Sequence, residues 1–340
     1  MIDEDQLEIS YKETPRITRW YHGVVRNRQV ARAGLALVVG LVCWVFLVLK
    51  ARVDGPGGWV NDFTVHWLAV DAFRHGYSPY KAINAFSTHY SFNAGYVYWL
   101  PTAVILLPFA WLPMQVAMQI FSALSVAIFT YAITRDGWWR LPFLGSLPLI
   151  WCMVSGQTVP LVTAAMLLPA LGWLAPIKYT TAAAGAAFNL SRVYVLGAAA
   201  VVVVSVIVWP WWPREWWADL HEGVGGPNWH IPARVAGGIV LLAALTKWRR
   251  PEARLLAVMA CVPQTMLYYD QLPLLVVARS YRQALALSLA SWVAPIVLIW
   301  MHPGGPFPRA TLFAYNAPVV VWCYYVPCLL LVLSRPNKAD

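Results

Sequence analysis

Charge is the scarcest commodity in this sequence: only 12% of its 340 residues are Asp, Glu, Lys or Arg, about half the share of a soluble domain. That excludes a disordered chain, a coiled coil and an ordinary cytosolic enzyme. The 15 acids are fewer than the 25 basic residues, and apart from Asp270 no acid falls inside an apolar run. A transporter built on a relay of intramembrane carboxylates therefore has little to work with. No internal repeat is visible, so the two-fold organisation of many secondary transporters is unsupported. The five cysteines (Cys43, Cys152, Cys261, Cys323, Cys328) contain no Cys-x-x-Cys pair. They read as buried free thiols in apolar stretches rather than as a disulfide framework or a thiolate metal site. No cleavable signal peptide is expected, because the first 32 residues are too polar.

What is present is apolar surface. Hydrophobic residues make up 60% of the chain, with 20 Trp and 25 Pro. The expected fold class is an all-α polytopic membrane bundle of about 10–12 segments, since roughly 20 apolar residues cross a bilayer. So much Trp suits a protein with a long membrane–water boundary. Residues 1–32 read as a cytoplasmic tail and 33–340 as one integral-membrane domain. Its expected spans are Ala33–Leu49, Tyr96–Leu112, Gln115–Ile133, Val193–Trp209, Ala233–Leu245, Leu255–Tyr268, Gln283–Met301 and Pro318–Leu333. Between them, Leu141–Val154, Thr158–Ala175 and Tyr179–Leu190 are shorter and interrupted, and Leu272–Ala278 is too short to span. Prolines 101, 108, 142, 148, 160, 169 and 176 break the apolar runs of residues 96–190. Broken helices are tolerated where they line a cavity or lie buried in protein.

The net charge of +10 is an orientation signal rather than a nucleic-acid patch. The basic residues cluster beside apolar runs: Arg16 to Arg32, Lys247 to Arg254, Arg279 with Arg282, and Arg335 with Lys338. By the positive-inside pattern these loops and both termini are cytoplasmic. Residues 50–95, 210–232 and 302–317 then fall outside. So do seven acids (Asp54, Asp62, Asp71, Glu215, Asp219, Glu222, Asp270) and six of seven histidines (His66, His75, His89, His221, His230, His302). Groups suited to acid–base work gather on that outer face. The charges at Arg135, Arg140, Lys178 and Arg192 leave the parity of Leu141–Leu190 open.

The segment WVNDFTVHWLAVDAFRHGYSPY (59–80) is the sharpest. From Phe63, apolar residues recur at Trp67, Val70 and Phe73, the spacing of an amphipathic helix in the outer interface. Asn61 or Asp62 stands where an N-cap belongs, and Gly76 ends the helix. Asp71 and His75, four residues apart, read as a solvated pair. Lys178 is a lone cation among apolar residues, either a phosphate contact or a snorkelling side chain. Gln157 either binds substrate or satisfies backbone at a helix break. Asp270 in LYYDQLP is either a second acid in a cavity or the partner of Lys178 or a nearby Arg. The Trp-rich loop at 209–229 reads as an interfacial belt, or as rings that stack on sugar.

These residues also carry a resemblance. Asp62-Phe63, Trp67, Ala69, Gly76 and Pro79-Tyr80 resemble the first outer loop of glycosyltransferase family eighty-seven, of the C-type (GT-C) superfamily. Tyr98-Trp99-Leu100-Pro101 and Leu107–Pro113 are similar to its Tyr-x-Pro-Pro segment and its Pro-terminated span. Ser155-Gly156-Gln157 resembles its Gly-Gln motif and Ala175–Lys178 its Lys-Pro-Thr motif. One proline of the double pair is missing here, and Tyr179 replaces a proline. The resemblance covers residues 59–180. It implies a polyprenyl-phosphate-mannose donor, a glycolipid or glycan acceptor, and transfer on the outer face with inversion. Asp62 maps onto the general base, which is typically worth about 10²–10⁴-fold. Lys178, Gln157, Tyr80, Asp270, His66 and Trp216 are the candidate substrate contacts, with no metal, cofactor or nucleic acid expected. The readings set against it are a non-catalytic subunit of a membrane complex, with membrane-protein partners, and a lipid or solute transporter.

Overall fold

The computed structural model describes residues 14–54, 62–81, 96–222, 230–301 and 316–337. Asp3, Glu4, Asp5, Glu8, Glu13, Asn61, His89, His302, Lys338, Asp340 and the loop tip 223–229 lie outside them. Among the described residues the chain is helical, with one isolated bridge between His230 and Gln264. Four helices are long and apolar enough to cross a membrane: Asn27–Asp54, Met114–Ile133, Tyr281–Trp300 and Asn316–Leu333. A fifth candidate is the pair Arg192–Val208 and Trp212–His221, bent by 96°. The protein is therefore an integral membrane protein with an all-helical fold.

The helices are α1 (Thr14–Asp54), α2 (Asp62–Arg74), α3 (Leu100–Leu106), α4 (Met114–Ile133), α5 (Leu147–Ser155), α6 (Val159–Leu167), α7 (Tyr179–Phe188), α8 (Arg192–Val208), α9 (Trp212–Glu222), α10 (Pro251–Cys261), α11 (Tyr281–Ala290), α12 (Val293–Met301) and α13 (Asn316–Leu333). α1 starts well before the first apolar run, because the run marks where lipid begins and not where helical hydrogen bonding begins. Of the interrupted middle segments, Leu141–Val154 and Thr158–Ala175 each divide into an α-helix and a 3₁₀ stretch, whereas Tyr179–Leu190 is one helix. Pro142, Pro176 and Pro273 lie inside tighter 3₁₀ stretches, Trp138–Gly145, Pro169–Ile177 and Tyr269–Val277. Proline lacks the N–H that an α-helix needs there.

Long helices pair first. Arg32 donates from Nη2 to Tyr131 O at 2.7 Å, and its guanidinium lies 4.2 Å from the Tyr131 ring centre. α1 therefore runs antiparallel to α4. Small residues allow close approach: a Cβ on Gly172 would sit 2.5 Å from the Tyr194 backbone, so α8 presses directly on the Pro169–Ile177 stretch.

Among the described residues, basic side chains from distant parts of the chain gather at one end of the bundle. Glu252 is buried and binds Arg279 at 2.5 Å and Arg335 at 3.4 Å. Arg140 lies within Coulombic reach of the same carboxylate and binds Asp136 at 3.0 Å. Arg135 donates to Leu167 O and Arg254 to Ala187 O, each at 2.7 Å. The C-terminal ends of α6 and α7 are thereby fixed at this basic end, and Gln157 and Lys178 stand at the opposite one. That settles the relative direction of the middle helices, which the charge pattern left open. Three of the five thiols are buried and all are free, but Cys261 is exposed at the end of α10 rather than buried. It stands where α10 ends and the chain turns away from the core.

Candidate functional site

Asp62 is the first residue of α2. Its carboxylate accepts a hydrogen bond from the Gln157 side-chain amide. Gln157 is delivered by a sharp stop: α5 ends at Gly156, which takes the left-handed conformation at φ +66°. Glycine adopts that conformation without a Cβ clash. The Gln157 N–H then closes on Cys152 O at 2.9 Å, and the side chain turns into the interior at 1% exposure. The Gln157 side chain is thus spent on Asp62 rather than on backbone at the helix break, where only its own N–H bonds.

Lys178 follows the Pro169–Ile177 stretch in extended backbone. Its Nζ lies 2.6 Å from Asp270 Oδ1 and 4.6 Å from the Tyr269 ring centre. Both side chains are buried. Of the two readings of Lys178, snorkelling is excluded, because the ammonium points to a carboxylate and not to the boundary. Asp270 is its partner. The second Asp270 oxygen accepts from the Thr265 N–H at 3.0 Å and the Thr265 hydroxyl at 2.9 Å. Pairing with Lys178 on one oxygen and hydrogen bonds on the other make this buried charge tolerable.

The loop before Asp270 is strained. Met266 and Tyr268 both have φ +57°, which costs side chains of this size about 1–3 kcal/mol each. Neighbours hold it in place. Asn316 donates to Met266 O at 2.5 Å, and Gln271 and Tyr325 both bond Gln264 Oε1, at 3.0 and 2.7 Å. Every residue of Tyr269–Val277 is buried, so the segment too short to span forms a central plug.

The two polar pairs share one neighbourhood. Tyr98 and Tyr269 each lie within Coulombic reach of both Asp62 and Asp270. His66, one helical turn after Asp62, packs its ring on Tyr98 at 4.2 Å and faces Tyr96 at 6.2 Å. It is fully buried. Burial, with the Lys178 charge behind it, pushes its pKa from 6.5 down to about 3. Between those values the unfolded chain binds a proton that the folded chain refuses. Stability is therefore complete above pH 6.5 and falls as pH drops toward 3. We expect wild-type protein in detergent to lose about 1.4 kcal/mol per pH unit in this window from this residue alone. His66→Phe should flatten the corresponding fall in thermal midpoint. Equal slopes for the two proteins would refute the buried neutral histidine.

Tyr80 and Trp216 reach the site through one intermediary each. Tyr80 packs on Tyr96 at 5.7 Å, and Trp216 on Tyr179, the neighbour of Lys178, at 5.5 Å. Trp99, Tyr179, Trp216 and Trp212 form a closed ring of edge and tilted contacts. The Trp-rich loop is thus divided: Trp211 and Trp217 are exposed as belt residues, whereas Trp212 and Trp216 turn inward. Asp71 pairs at the surface with Arg74 at 3.0 Å and His75 at 3.6 Å, as its spacing suggests. Glu215 accepts from Ser78 Oγ at 2.8 Å and Trp209 Nε1 at 3.1 Å, tying α9 to the segment after α2. Asp219 is half-buried, and burial raises its carboxyl pKa. Among the described residues no three His, Cys, Asp or Glu side chains gather closely enough to hold a metal ion.

Thr265, Tyr98 and Tyr269 escaped the sequence reading as site residues. The two tyrosines lie in motifs read for other residues, and an isolated Thr carries no signal. Chemically, the arrangement offers a half-buried carboxylate, a buried cation and a neutral imidazole from separate segments. Compared with known proteins, the chain matches no family model, no curated protein and no solved structure.

Proposed function

We propose that the protein is a membrane glycosyltransferase that moves a hexose, mannose by resemblance, from a polyprenyl-phosphate donor to an acceptor hydroxyl. One observation carries the reading. Asp62, Gln157, Lys178 and Asp270 come from four separate segments and meet at the end of the bundle opposite the basic clusters. In this reading the basic end and both termini are cytoplasmic, and the site faces outward. The broken helices between residues 138 and 188 count as membrane segments, which brings the total to about 10–12, and α2 lies in the outer interface.

Asp62 takes the proton of the acceptor hydroxyl. The hydroxyl oxygen forms its bond to the anomeric carbon as the bond to the phosphate oxygen breaks. The phosphate leaves with that electron pair, and the configuration inverts, so a β-linked donor gives an α-linked product. Gln157 holds the Asp62 carboxylate in position. Lys178 neutralises the departing phosphate, for which Asp270 must yield part of its hold. An apolar groove of about 360 Å³ between α7 and α8, lined by Trp99, Tyr179 and alanines, lies beside Lys178 and suits a lipid chain.

The test is mass spectrometry of glycolipids and glycoproteins from cells lacking the protein. A missing hexose that returns with the wild-type gene is the expected result. Unchanged spectra would sink the reading in favour of a non-catalytic or transport role.

A further inference from the structure

We propose that His66 is the specificity residue of this site, pairing its neutral imidazole with one hydroxyl of the transferred hexose. The inference rests on the glycosyltransferase reading and deepens it. Its basis is geometric. Among the described residues neither ring nitrogen of His66 has a hydrogen-bond partner, although the side chain is wholly buried. An unmet buried polar atom is destabilising, and here there are two on one ring.

The chemistry of the missing partner follows from the ring. A neutral imidazole presents one donor and one acceptor. A phosphate or carboxylate would use only the donor, and a cation only the acceptor. A sugar hydroxyl both accepts and donates, so it can bond whichever ring nitrogen it faces, in either tautomer. The low pKa keeps the ring in this two-faced form at neutral pH. Tyr98, packed against it at 4.2 Å and tilted by 53°, restricts its plane.

Position then selects the sugar. Residues four apart on a helix share a face with Cβ atoms about 5–6 Å apart, so His66 stands beside Asp62. It also lies within Coulombic reach of Lys178. A group between the proton acceptor and the phosphate-binding cation is at the transferred ring rather than at the acceptor or the lipid tail.

The experiment uses the full-length chain in nanodiscs. The probes are citronellyl-phosphoryl-β-mannose and its 2-, 3-, 4- and 6-deoxy analogues. Binding is read by tryptophan fluorescence. We expect wild type to bind one deoxy analogue about 100-fold more weakly than the parent. His66→Phe should weaken the parent by about the same factor and no longer distinguish that analogue. Either His66→Asn or His66→Gln, each of which replaces one ring nitrogen, should recover part of the loss. A structural role would instead weaken all five probes equally with discrimination intact, and that overturns the proposal. The binding ratios judge His66, and the cellular glycolipid spectra judge the glycosyltransferase reading separately. Wild type that binds none of the probes overturns the His66 assignment.

Discussion

Asp62→Asn should leave a folded, membrane-inserted protein that transfers sugar about 10²–10⁴-fold more slowly. The substitution is nearly isosteric. The Asn carbonyl oxygen still accepts the Gln157 amide hydrogen bond that Asp62 accepts, so stability should change by no more than about 1 kcal/mol. What disappears is the ability to take a proton from the acceptor hydroxyl. Gln157→Ala separates the two roles. It keeps the base but frees its orientation, and so should lower transfer by a smaller factor, about tenfold. Both variants are compared with wild type by initial rate on the same donor, with gel-filtration profiles as the folding check. Near-normal transfer by Asp62→Asn would remove Asp62 from the chemistry.

The second large effect concerns stability. Lys178→Met or Asp270→Leu alone strands one buried charge of a 2.6 Å pair. Breaking such a pair costs about 3–5 kcal/mol. The double variant Lys178→Met, Asp270→Leu leaves no buried charge and places apolar groups of similar volume together. It should recover most of that loss, because a buried pair contributes little net stability over a well-packed apolar one. Transfer should stay lost in all three, since the phosphate has no cation in any of them. Thermal unfolding in detergent and transfer assays read the two quantities separately. Additive losses in the double variant would mean that the two residues do not act as a pair.

The sequence made the individual residues of the site visible, because each charge in an apolar run is expensive and demands a reason. Lys178 and Asp270 stood out on that ground, Asp62 by its place at the start of the helix in the 59–80 segment, and Gln157 by its place after Gly156. Their partnerships were not visible. Lys178 and Asp270 are joined only through the packing of the Tyr269–Val277 stretch against α5 and α6, and no local pattern encodes that. His66 was a candidate substrate contact, but the isolation of its ring was not visible, because that is a property of the aromatic walls supplied by residues 96–98. The long helices α4 and α13 were legible from sustained apolar runs. The 3₁₀ stretches were not, since apolar content says where a segment lies but not how tightly it winds. Cys261 shows the same limit, as an apolar run does not say which of its residues faces outward.

The Tyr269–Val277 plug also bears on how the protein is made. Nine residues of 3₁₀ helix rise only about 18 Å, short of the roughly 30 Å hydrocarbon core. Such a segment cannot enter the bilayer as an independent span. It goes in as the return limb of the hairpin that α10 begins, with Asp270 carried along. Synthesis runs from the N-terminus, so Lys178 is already in the membrane when Asp270 leaves the ribosome. Through that interval the ammonium has no counter-charge from this loop, and the end of the bundle that holds Asp62 and Lys178 can close only after most of the chain has been inserted. Assembly of the site is therefore a late event, timed by the arrival of one carboxylate.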